Sequence, residues 1–140
     1  MPASDPLDRS DAAHLLRRAA FGATDKELDK YEASTRAQVV ASLLGSKPRK
    51  GRGPGKKGDS SKDRKKLQGW WLRRMLKVKE AANEKLVLFL HDHIPSSLNA
   101  VGDVGLLARQ NETFRKHGQG SFRDLLIEVT RDPAMLEFLD

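Results

Sequence analysis

Five apolar residues in succession, Leu86-Val87-Leu88-Phe89-Leu90, run directly into His91-Asp92-His93 and are stopped by Pro95. At helical spacing such a run turns apolar side chains to every side, so a helix over it has no solvent face and must be enclosed by other elements. A buried strand has the same apolar content. The flanking Glu80, Ala81, Ala82, Glu84 and Lys85 are good helix formers, and no second strand-like run is there to pair with, so the stretch reads as helix. Pro95 ends it, because the residue before a proline is pushed out of the α region. The chain is therefore expected to be all-α, an irregular multi-helix bundle around this central apolar helix.

The flanks supply the other helices. Residues 1–10 read as a flexible N-terminus, and 11–45 as an N-terminal subdomain of three short helices. Ser10 or Asp11 caps the first and Gly22 follows it; Thr24-x-x-Glu27 and Thr35-x-x-Gln38 form capping boxes for the next two. Residues 46–66 hold glycines, prolines and cations with no apolar side chain, which reads as a disordered basic linker, since nothing in it offsets the entropy of ordering. Residues 67–140 read as the helical core. Trp70, Trp71, Met75 and Leu76 face inward on one helix, and Val104, Leu107, Gln110, Asn111 and Phe114 on a longer one. Ser121 caps a further helix, and Asp132-Pro133 starts the last. The pattern reaches Asp140 with no C-cap, as expected of a chain truncated at that end.

Charge narrows the function less than its total suggests. The net charge is +7. Residues 46–66 carry ten basic and two acidic residues, so the remainder is close to neutral. Lys56, Lys57, Arg64, Lys65 and Lys66 are the candidates for a polyanion contact; the alternative is an inert solubilising loop. Nucleic acid is the weaker partner, because no aromatic residue lies in the tract to stack on bases. There is no cysteine, which excludes disulfides and thiolate chemistry. No stretch has the length of a membrane span and the first ten residues hold no apolar signal-peptide core, so the cytoplasm is the default location.

The candidate chemistry lies at the end of the apolar run. His91 and His93 with Asp92 are ligand types that suit zinc or iron, with a third donor from His14, His117 or Glu112. On a regular helix, however, residues two apart point about 200° away from one another, so a shared ion requires the turn before Pro95 to unwind. The alternative is a packed structural histidine bonded to a group such as Asn111. Gln110 and Asn111, amides on an inward face, either tie helices together or line a polar pocket. No phosphate-binding glycine loop and no serine-nucleophile motif is present.

Six phrases in order carry a resemblance: H-L-L-R-R-A-A-F-G from His14, W-W-L-R-R-M from Trp70, E-K-L-V-L-F-L-H-D-H from Glu84, R-Q-N from Arg109, G-S-F-R-D-L-L from Gly120 and D-P-A-M-L-E-F-L-D from Asp132. Together they resemble the bacterial domain of unknown function numbered eighteen hundred. The resemblance implies a large, mostly helical protein of which this chain is the N-terminal part, because a later family phrase resembling N-E-N-F-A-R-E-L is absent. It also implies a partner protein encoded nearby and export, but no reaction; the function expected here is a His-based metal or substrate pocket completed by the missing sequence, the alternative a non-catalytic scaffold docking that exported partner. The family phrase resembling F-W-H-N-H-F is altered, with Leu90, Asp92 and Ile94 at three of its positions, while both histidines are kept.

Overall fold

A computed structural model describes residues 6–51, 53–55 and 58–140. The described residues form nine α-helices: α1 (Arg9–Ala19), α2 (Asp25–Tyr31), α3 (Arg36–Leu44), α4 (Ser61–Lys77), α5 (Ala81–His93), α6 (Leu98–Val101), α7 (Val104–His117), α8 (Phe122–Thr130) and α9 (Pro133–Leu139). They contain no strand, only an isolated bridge between Pro6 and Thr35. The all-α expectation holds.

Local chemistry explains most boundaries. Both capping boxes form: Thr24 and Thr35 accept from the backbone N–H groups of Glu27 and Gln38, whose side chains accept in return from the cap backbones. Ser121 and Asp132 cap α8 and α9, with Pro133 in the first turn of the latter. The helical conformation of α5 persists through His93, and Ile94 closes it by donating to the Leu90 carbonyl, one residue before Pro95.

Helices α1–α3 enclose their own apolar cluster of Leu7, Ala12, Leu16, Tyr31 and Val39. A second cluster joins Val87 and Leu90 of α5 to Phe114 of α7, Leu125 and Val129 of α8 and Met135 of α9. A third gathers Val101, Leu107 and Ala134. Helix α5 links the first group to the rest, packing on α1 and α3 on one side and on α4 and α7 on the other. Lys85 reinforces the junction: its ammonium donates to the Ala20 carbonyl at 2.7 Å and to that of Arg17, meeting the orphan acceptors at the end of α1.

Three expectations need correction. The helix with neighbours on most sides is α7, which meets α4, α5, α6, α8 and α9, rather than α5. Its stripe Val104, Leu107, Ala108, Asn111, Phe114, Arg115 is buried at 3.6-residue spacing. Helix α5 does have a solvent side, where Leu88 is 39% and Phe89 59% exposed; Phe89 shields part of its ring by stacking on His93 at 5.4 Å. Second, the N-terminus is held from Pro6 onward: Leu7 is buried and exchanges backbone hydrogen bonds with Ser34 and Ala33. The rest of that expectation, residues 1–5, lies outside the described residues. Third, the basic segment turns helical at Ser61, because Ser60 caps α4 by accepting from the Asp63 N–H. Among the described residues before it, Gly51 N–H donates to Glu112, Arg49 pairs with Glu80, and Gly58 accepts from the Val104 N–H.

Candidate functional site

Helix α4 approaches α5 and α7 with the side that bears Leu67, Trp70 and Trp71, and a cavity of about 270 Å³ remains between them. It is lined by Leu67, Gln68, Trp70 and Trp71 of α4, His91 of α5, Ser96 of the following loop, Leu98 of α6, and Leu107 and Asn111 of α7. Its walls are chiefly apolar and aromatic, and its polar atoms come from few side chains, as in small-molecule sites.

His91 is the titratable group among them. Trp71 meets it edge to face, with centroids 5.0 Å apart and planes at 86°, and Phe114 lies beyond at 6.4 Å. Burial among these rings pushes its pKa below the usual histidine value, with Asp92 opposing weakly. The imidazole is thus neutral at pH 7, with one nitrogen a donor and the other an acceptor.

Asn111 is oriented from behind. Its Oδ1 accepts from Arg115 Nη2 at 2.5 Å, and because a guanidinium has only donors, the amide's other end, the –NH2 group, is directed away. Among the described residues that –NH2 has no protein partner. Gln110 contributes indirectly, donating from Nε2 to Ser96 Oγ at 2.8 Å, which leaves the Ser96 hydroxyl hydrogen free to point elsewhere. Gln110 Oε1 and Trp71 Nε1 are buried without a partner.

Behind Trp70 and Asn111 stands a buried charge network, which sequence reasoning missed. Arg115, 1% exposed, donates to both oxygens of the fully buried Glu84, from Nε at 2.6 Å and Nη2 at 2.8 Å. Arg74 adds a third bond at 2.6 Å, and Glu112 accepts from Arg115. The Arg115 guanidinium also lies 5.8 Å from the Trp70 ring, a cation–π contact. Desolvation opposes the Glu84 charge, but Arg115 and Arg74 outweigh it and hold the carboxyl below its ordinary range. The signal was in the sequence: Arg115 lies four residues after Asn111 on the buried stripe of α7, where an uncompensated charge is not tolerated.

Of the residues singled out from sequence, the cavity gathers His91 and Asn111, with Gln110 supporting it through Ser96. His93, Asp92 and His14 are exposed and lie elsewhere. The turn before Pro95 is not unwound: α5 stays helical through His93, so His91 lines the cavity while His93 stacks on Phe89 outside it. Among the described residues, no group of three or more histidines, aspartates or glutamates is placed to hold an ion. Glu112 is taken by Arg115, and His117 lies 3.9 Å from Glu128. Of the polyanion candidates, Lys56 and Lys57 lie outside the described residues, Arg64 is bound to Asp59 and Asn99, and Lys65 and Lys66 are exposed on α4. No described helix is long and apolar enough to cross a membrane.

Fold and site thus define a small all-α domain with a tryptophan-lined cavity, one neutral histidine, and an asparagine braced by a buried ion cluster. The family model of DUF1800, described as a protein of unknown function, matches residues 14–140, and the chain belongs to that family. No curated protein and no solved structure gives a match.

Proposed function

We propose that the domain binds a small organic molecule with a flat apolar body and one hydrogen-bonding end, in the cavity between α4, α5 and α7. The observation that carries this is the convergence on one space of both tryptophans of the chain, a neutral imidazole and an amide whose orientation is fixed by Arg115. The ring of the ligand lies against Trp70 and Trp71. Its polar end takes a hydrogen bond from Asn111 –NH2 and exchanges one with His91, which as a neutral ring serves either a donor or an acceptor. The volume restricts the ligand to one or two rings, below the roughly 300–1,000 Å³ common for larger ligands.

Because Trp70 and Trp71 are the only tryptophans, intrinsic fluorescence reports on this cavity alone. Benzamide, with a ring and one amide, is a suitable probe. A saturable change in emission is expected, weakened about tenfold or more by Asn111→Leu, which leaves the partner's polar end unpaired. No saturable response, or an equal response in Asn111→Leu and His91→Phe, refutes the assignment.

A further inference from the structure

The outward side of α4 is a surface of a different kind. At about 100° per residue, Lys62, Lys65, Lys66, Gly69, Leu72, Arg73, Leu76 and Lys77 share an arc of roughly 140°, and Trp70, Trp71 and Arg74 lie outside it. The arc holds five cations and no carboxylate. Among the described residues, only Lys66 of these five has an anionic partner, Asp63 at 3.4 Å on the same helix. The Arg73 guanidinium lies back over Gly69. Lys62, Lys65, Lys66 and Arg73 line a shallow groove of about 480 Å³ with Ser61. Leu72 and Leu76, 55% and 75% exposed, lie one turn apart beside the cations, so Leu76 does not face inward as its spacing suggested.

We infer that this side of α4 docks on an anionic lipid surface, with Leu72 and Leu76 entering the headgroup boundary and the cations meeting lipid phosphates. Charge complementarity selects an anionic partner. The two leucines select lipid over nucleic acid: a bilayer rewards exposed aliphatic side chains, whereas an extended polyanion wants rings to stack on its bases, and both tryptophans face the cavity instead. The cations from Lys62 to Lys77 extend about 22 Å along the helix axis, so α4 lies flat on the surface rather than entering it.

The test is co-sedimentation of the purified chain with vesicles of equal parts phosphatidylglycerol and phosphatidylcholine, against pure phosphatidylcholine and against duplex DNA. Partition is expected to favour the anionic vesicles by about 600-fold, since each of the four cations without an anionic partner contributes about fivefold near an anionic bilayer. Lys62→Gln, Lys65→Gln and Arg73→Gln combined should remove most of that preference. Leu72→Ser with Leu76→Ser should weaken vesicle binding about tenfold and leave DNA retention unchanged. All five positions are exposed, so the helix survives these changes, and circular dichroism verifies it. Equal partition onto neutral vesicles, no partition onto either, DNA binding as strong as vesicle binding, or indifference to the leucine changes overturns the inference. Benzamide binding is unaffected by these variants, which separates this surface from the cavity.

Discussion

Replacing Arg115 by methionine removes every donor that Glu84 receives from α7 and leaves its fully buried carboxylate with Arg74 alone. Breaking a buried ion pair from one side costs about 3–5 kcal/mol, because the stranded charge keeps its desolvation penalty. Asn111 Oδ1 loses its bond too, and the Glu112 carboxylate keeps only the Gly51 N–H, so the upper part of that range is expected. In urea, with a slope near 2 kcal/mol per molar, the midpoint should fall by about 2 M at unchanged slope. Glu84→Met combined with Arg115→Met should recover about 1–3 kcal/mol relative to additivity, since an apolar pair strands nothing on α5, and Arg74 still donates to the Arg49 carbonyl. The pH dependence gives a second readout. Glu84 is held below its ordinary value of 4.5, so its contribution is present above that pH and is lost as acid titrates the folded carboxyl. In Arg115→Met that part of the acid slope should shrink. A cost under about 1 kcal/mol, the scale of a surface pair, or strict additivity in the double variant, refutes the reasoning.

The remaining expectations are narrower. His91 has a folded pKa below 6.5, so the unfolded chain takes up the proton first and stability falls as pH drops through that value; His91→Gln flattens this slope in pH-dependent denaturation. Phe114→Ala, at a fully buried position, should cost about 3–5 kcal/mol by thermal or urea melting, whereas Phe89→Ala on the open side of α5 should cost under about 1. Thr35→Ala removes one half of a capping box and should cost about 1 kcal/mol, measured the same way.

Much of the fold was legible because helix ends are local events. Thr24, Thr35, Ser121 and Asp132 announce their helices through hydrogen bonds that span three residues or fewer, and all four form. The start of α4 was missed because Ser60 precedes a charged first turn with no apolar periodicity until Leu67. The role of α7 was missed because its stripe mixes apolar residues with Asn111 and Arg115, and composition alone gives such a face less weight than the run Leu86–Leu90. Whether His91 and His93 share a site depended on one backbone turn, which sequence left undecided between helical and unwound; the helical outcome sends them apart. Glu84 and Arg115 lie 31 residues apart, and their pairing requires α5 and α7 to be packed first.

The place of α5 between two apolar clusters bears on how the domain opens. Helices α1–α3 close on their own interior, and reach the rest mainly through the side of α5 that carries Lys85. Opening at that seam leaves the cluster around Phe114 in place. Amides of α1–α3 should therefore exchange with solvent together, and sooner than those of α7, making the N-terminal trio a cooperative unit of lower opening free energy.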